Sequence, residues 1–135
     1  MKLPNRAKTK ARETGQRLIY VVDDEPLLLE LAAAVLEPLG YEIKTFRDPE
    51  TALRSFASAE RRPTLVITDY AMHPMSGLEL IAGCRRLEPQ QKTLLLSGTV
   101  DEEIYGNVPA KPDRFLAKPY QGKQLIEALK SLVTD

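Results

Sequence analysis

Five short segments of strand-like pattern punctuate the chain, four apolar and one alternating, and capped or amphipathic stretches separate them. Leu18–Val22 (LIYVV) is continuously apolar, the pattern of a strand buried on both faces. Asp23-Asp24-Glu25-Pro26 ends it. Pro26 suits the first helical position, and acidic residues just before it suit a helix N-terminus. This helix is predicted to run to about Glu37, with Leu28, Leu31, Val35 and Leu39 near one face and Gly40 as the C-terminal cap. Glu42–Phe46 alternates, as an edge strand does. Asp48-Pro49 reads as an N-cap followed by Pro at N1, opening a helix with Ala52, Leu53 and Phe56 on one side. Leu65–Thr68 is a second buried strand, ending at Asp69. The loop YAMHPMSG leads into a helix from about Leu78 to Leu87, where Cys84 falls with Leu80, Ile81 and Leu87 on a core face. Thr93–Leu96 is a third buried strand, ending at Ser97. Residues 99–113 hold Gly106, Pro109 and Pro112, which shortens the fourth helix to about two turns. Arg114–Ala117 is a short last strand, ending at Lys118. Gln121–Val133 is the last helix, with Leu125, Ile126, Leu129, Leu132 and Val133 at helical spacing.

Strands alternating with helices predict an α/β fold: one doubly wound parallel sheet with helices on both faces. The 135 residues fit one domain. One cysteine excludes an internal disulfide framework and a CxxC zinc site, and one histidine excludes a His-pair metal site. No apolar run approaches the roughly 18 residues of a membrane span. The N-terminus lacks the apolar region of a secretory signal. A cytoplasmic location with no membrane partner is therefore expected. The 19 basic and 19 acidic residues cancel, which excludes a uniformly basic nucleic-acid binder. The balance hides an asymmetry. Residues 1–17 carry Lys2, Arg6, Lys8, Lys10, Arg12 and Arg17 against Glu13 alone, and the remainder is correspondingly acidic. We read residues 1–16 as a basic, disordered arm and 17–135 as the domain. Nucleic acid is not expected as a partner except through that arm, where binding would depend steeply on salt.

Ligands of an open parallel sheet bind at the carboxyl ends of its strands. Asp23 and Asp24 follow the first strand, Asp69 ends the third, Ser97 the fourth and Lys118 the fifth. One polar residue at a strand end is commonly a cap, but five at corresponding ends of four strands form a constellation. With strands 1 and 3 adjacent, three carboxylates would share one small volume. Two such charges about 5 Å apart repel by about 3 kcal/mol at an effective dielectric of 20. Either a carboxylate protonates or a cation sits among them. A hard divalent ion with oxygen ligands, Mg²⁺ or Mn²⁺, suits the donors. Lys118 adds a positive charge and Ser97 a hydroxyl donor. Such a clamp fits an incoming phosphoryl group, with Asp69 as a carboxylate nucleophile.

The motifs YVVDDEP (20–26), LVITDY (65–70) with PMSG (74–77), LLLSG (94–98) and FLAKPY (115–120) resemble the receiver domains of two-component response regulators. The resemblance covers about residues 17–134. Each motif alone is weak, but their order and spacing together are specific. It implies a flavodoxin-like sheet of order 2-1-3-4-5. Asp69 would be the phosphoacceptor, charged by a histidine kinase or phosphotransfer protein. Asp23, Asp24, Asp69 and the backbone carbonyl of Ala71 would hold the metal. Ser97 and Lys118 would bind the phosphoryl oxygens, Phe115 would be the switch aromatic, and the Lys118–Pro119 bond would be cis. Phosphorylation would then bias a two-state loop and helix.

The sequence departs from the family pattern at two positions. His73 stands where the family usually has Pro, and Gly98 where it more often has Ala. The short fourth helix argues against assuming the family's usual dimerisation face. The chain ends one helix past Lys118, so output is expected through contact with an unidentified downstream protein or as a phosphoryl relay. LLLSG and FLAKPY also resemble receivers of hybrid sensor kinases. No turnover enzyme is expected beyond Mg²⁺-dependent self-phosphorylation and slow self-dephosphorylation. An aspartate-nucleophile phosphatase commonly carries a second Asp two residues on, where this chain has Ala71. A phosphorylation-independent interaction module on the same fold is the alternative, and the complete acidic cluster speaks against it.

Overall fold

The computed structural model describes residues 16–98 and 110–133. Five strands, β1 (Leu18–Val22), β2 (Glu42–Phe46), β3 (Leu65–Asp69), β4 (Lys92–Ser97) and β5 (Arg114–Ala117), form one sheet of order β2-β1-β3-β4-β5. Every neighbouring pair is parallel. Among the described residues, four helices connect or follow them: α1 (Pro26–Leu36), α2 (Pro49–Ser58), α3 (Gly77–Leu87) and α4 (Gly122–Leu132). The expected short helix within 99–113 falls almost wholly outside the described residues, as does nearly all of the basic arm.

The unbroken apolar run of β1 feeds two cores at once, because alternate side chains of a strand face opposite sides. Ile19 and Val21 pack with Leu29, Ala32 and Leu36 of α1 and with Leu125, Ala128 and Leu129 of α4. Leu18, Tyr20 and Val22 pack with Ala52 and Phe56 of α2 and with Leu80 and Cys84 of α3. Each Val, Leu, Ile or Phe among them, fully buried, contributes about 1.5–3 kcal/mol. Tyr20 is buried with its hydroxyl 3.2 Å from Ser55 Oγ. The edge strand β2 is half-exposed, as its alternation predicts.

Local chemistry sets the element ends. Asp48 accepts from the Glu50 N–H at 3.0 Å and caps α2. Ser76 and Glu79 form a reciprocal capping box that starts α3. Helix α1 passes into a 3₁₀ turn, Glu37–Leu39, and Gly40 ends it in the left-handed conformation at φ 97°. The face expected for α1 is corrected. Leu31 and Leu39 are exposed, and Leu29, Ala32 and Leu36 are buried instead. Every α1 position but Glu30 is apolar, so periodicity marks no unique face and contact with β1 and α4 selects it. Leu87 is also exposed, at the turn where the chain leaves α3.

Away from the carboxyl ends of the strands, Arg85 of α3 ties the starts of β4 and β5 together. It reaches Asp113 Oδ2 at 2.7 Å, Thr93 Oγ1 at 3.1 Å and the carbonyl of Gln91 at 3.2 Å, and also donates to the carbonyl of Lys111.

Candidate phosphoryl and metal site

The parallel register brings Val22 beside Thr68 and Asp69 beside Leu96, so the next residue of β1, Asp23, falls close to Asp69. Ile19 and Val21, like Leu65 and Ile67, face the α1/α4 side. Strand alternation carries Asp23 and Asp69 to that same side. The ladder continues one residue past the strands. Asp23 N–H donates to the Phe46 carbonyl at 3.0 Å, Tyr70 N–H to Leu96 at 2.8 Å and Lys118 N–H to Ser97 at 2.8 Å. The loops carrying the polar groups are thus anchored by sheet hydrogen bonds, which limits their backbone freedom.

Carboxylate oxygens of Asp23, Asp24 and Asp69 lie within 4.8 Å of one another. Asp23 and Asp69 are buried, and Asp24 is exposed at the mouth. Lys118 Nζ donates to Asp69 Oδ1 at 3.0 Å and Asp23 Oδ2 at 3.2 Å, with Glu25 Oε1 at 3.9 Å. Asp23 Oδ1 accepts from the Glu25 N–H at 3.0 Å. Burial pushes the Asp23 carboxyl above its usual range, and Asp69 adds to this, while the Glu25 N–H and Lys118 oppose it. Burial works against the charge of Lys118, yet Asp69 and Asp23 more than offset it, and its pKa is raised. The ammonium stands where the repulsion among the carboxylates calls for positive charge. An all-oxygen donor set of this charge also fits a hard divalent ion, so Asp23, Asp24 and Asp69 could hold one.

Gly77 fixes the backbone beneath Asp69. A Cβ at Gly77 would stand 2.1 Å from the Asp69 carbonyl oxygen and 3.0 Å from Leu95 Cδ1. The Gly77 N–H donates to the Tyr70 carbonyl at 2.9 Å, and Thr68 Oγ1 donates to the Asp69 carbonyl at 3.0 Å. The start of α3 is therefore in contact with the end of β3.

The other expected site residues stand on the adjoining strand ends and loops. Ser97 is buried at the end of β4. Ala71 is exposed, two residues past Asp69. Phe115 packs with Tyr70 and Ala110 against Leu78, Ile81 and Leu95, on a separate apolar cluster. The Lys118–Pro119 bond is cis, and so is His73–Pro74, with His73 exposed. Two neighbours of the cluster were not anticipated. Glu25 approaches Lys118, and its signal lay in the acidic run that it shares with Asp23 and Asp24. Tyr120, two residues past Lys118, has a buried hydroxyl with no hydrogen-bond partner among the described residues.

Comparison with known proteins identifies the family. The family model described as response regulator receiver domain matches residues 19–130. The chain belongs to the response regulator receiver family. It is 32% identical over 125 residues to the probable transcriptional regulatory protein TcrX of Mycobacterium tuberculosis, covering 90% of this chain and 52% of that protein. It is 32% identical over 111 residues to the nitrogen assimilation regulatory protein NtrX of Azorhizobium caulinodans, covering 80% of this chain and 24% of that protein. The chain thus spans about a quarter to a half of these curated relatives. Among solved structures it resembles the response regulator TrrA of Thermotoga maritima in complex with Mg²⁺ and BeF. That match has TM-score 0.76 and 33% identity, covering 87% of this chain and 100% of that one. The signal receiver domain of an HD domain-containing protein from Pseudomonas fluorescens Pf-5 matches with TM-score 0.77 and 28% identity, over 87% and 94% of the two chains. No helix among the described residues is long and apolar enough to cross a membrane.

Proposed function

We propose that the chain is a phosphoacceptor of a two-component phosphorelay in the cytoplasm. Its donor would be a histidine kinase or phosphotransfer protein, and its output a protein contact. The observation that carries this reading is the Lys118 ammonium spanning Asp23 and Asp69, with Asp24 at the mouth. An Asp69 carboxylate oxygen attacks the phosphorus of a phosphohistidine. The P–O bond forms as the P–N bond breaks, and the imidazole nitrogen leaves with the electron pair and takes up a proton. Asp23, Asp24, Asp69 and the Ala71 carbonyl would hold Mg²⁺ or Mn²⁺, which when bound neutralises charge on the phosphoryl oxygens. Lys118 and the Ser97 hydroxyl hold those oxygens, and Phe115 changes its packing as Ser97 turns toward them. Water hydrolyses the acyl phosphate slowly. Ala71, whose side chain is apolar, does not orient that water.

Intact mass after incubation with Mg²⁺ and acetyl phosphate tests this. The wild type should gain one phosphoryl group, and Asp69→Asn and EDTA-treated samples should gain none. No gain, together with no Mg²⁺ binding, would replace this reading with a phosphorylation-independent interaction module.

A further inference from the structure

Tyr120 is a polar group that the proposed chemistry leaves unused. Its ring packs against the core lobe made by β1, α1 and α4. That is the side of the sheet to which strand alternation carries Asp23. Its hydroxyl is enclosed, yet it has no hydrogen-bond partner among the described residues. Buried hydroxyls are paired in most native structures, and an unpaired one calls for an explanation such as an alternative state. Burial raises the pKa of the phenol, Asp23 and Asp69 add to this, and Lys118 opposes it. Asp23 already accepts on both oxygens, from the Glu25 N–H on Oδ1 and from Lys118 Nζ on Oδ2. Lys118 thus fixes the orientation of the Asp23 carboxylate and supplies one of its two donors.

We propose that Tyr120 is a positioning residue of the cation site, whose hydroxyl donates to the Asp23 carboxylate when Lys118 leaves it. The proposal rests on the receiver reading. A divalent cation on the acidic cluster makes the lysine redundant at Asp23, and a phosphoryl group on Asp69 gives the lysine a new partner. Asp23 then keeps only the Glu25 N–H, and a phenol hydroxyl replaces the lost lysine donor without adding a charge that competes with the metal. The hydroxyl is unpaired in the lysine-held state and paired in the loaded state. Loss of a hydrogen bond to a metal-ligating group typically weakens metal binding 10–100-fold.

The test is calorimetric Mg²⁺ titration of wild-type and Tyr120→Phe proteins without phosphodonor, with thermal melting of both in EDTA. Tyr120→Phe should bind Mg²⁺ about tenfold more weakly. Its metal-free melting temperature should equal or exceed that of the wild type, because the substitution deletes an unpaired polar group. In the wild type, the Tyr120 ¹³Cζ resonance should move on adding Mg²⁺. Equal Mg²⁺ affinity of the two proteins would overturn the proposal. So would a lower metal-free melting temperature of Tyr120→Phe, which would show a hydroxyl already bonded in that state. A wild type that binds no Mg²⁺ would overturn the receiver reading itself, an outcome distinct from equal binding by both.

Discussion

Replacing Gly77 with alanine adds a single methyl group against the backbone of Asp69, the proposed phosphoacceptor. The new Cβ would lie 2.1 Å from the Asp69 carbonyl oxygen, 3.0 Å from the carbonyl carbon and 3.0 Å from Leu95 Cδ1. Relief requires the strand end and the helix start to separate by about 1 Å, since carbon–oxygen contacts settle near 3.3 Å. Neither partner is free to yield. Gly77 N–H is bonded to the Tyr70 carbonyl at 2.9 Å, and Tyr70 N–H to Leu96 at 2.8 Å. Overpacking typically costs about 1–3 kcal/mol, and each strained or lost hydrogen bond adds about 1 kcal/mol. The gain in helix propensity is at most about 1 kcal/mol. We expect a net loss of about 3 kcal/mol. With a urea m-value of about 1.5 kcal/mol/M, the midpoint should fall by about 2 M. Circular dichroism during urea titration measures it, and phosphorylation of Asp69 should weaken in parallel. Gly98→Ala is the control, because a Cβ there meets nothing within 4 Å. A Gly77→Ala loss below about 1 kcal/mol would show that the β3–α3 junction is not held as described.

Lys118→Met removes the ammonium between two buried carboxylates. Breaking a buried pair costs about 3–5 kcal/mol, and the 18% exposure of this side chain places the loss near the lower end. Mg²⁺ affinity should rise at the same time, and chemical denaturation in EDTA together with calorimetry checks both. Because burial raises the Asp23 pKa, the folded state holds its proton more tightly than the unfolded chain. Stability without metal should therefore fall as pH rises from 3.8 through the raised value, and Asp23→Asn should flatten that slope and melt higher at pH 7. An Asn variant that is less stable at every pH would refute this. Burial pushes the Cys84 thiol up to about 12 against the opposing charges of Arg62 and Arg85. Its reaction with a thiol reagent at pH 8 should be at least about a thousandfold slower in the native protein than in denaturant, since only opening exposes it.

Much of this architecture can be read from the chain because parallel strands buried on both faces write uninterrupted apolar words, LIYVV and LVIT among them. Their ends are marked by the first charge, which also locates Asp23, Asp69 and Lys118. The exposed and buried faces of α1 were not legible, since a helix with a single charged residue, Glu30, offers no polar stripe to mark its outside. The Ser76–Glu79 capping box had a readable signature, whereas the need for Gly77 did not. Its glycine is required by the Asp69 carbonyl, eight positions away in sequence and in contact only after folding. The Arg85–Asp113 pair and the unpaired Tyr120 hydroxyl share that character. Each depends on which distant residues meet, and local composition does not encode the meeting.

The charges of the site also come from distant parts of the chain, with residue 23 on one strand end, 69 on another and 118 on a third. No fragment holding only two of the strands can assemble the pocket. Closing these long loops is entropically costly and tends to come late in folding. A chain emerging from synthesis would therefore be chemically inert until β5 has docked and brought Lys118 to the carboxylates. Any ligand of the finished pocket would in turn select the completed fold, adding stability that grows logarithmically with its concentration. Occupancy of the pocket thereby doubles as a certificate that the whole sheet is in place.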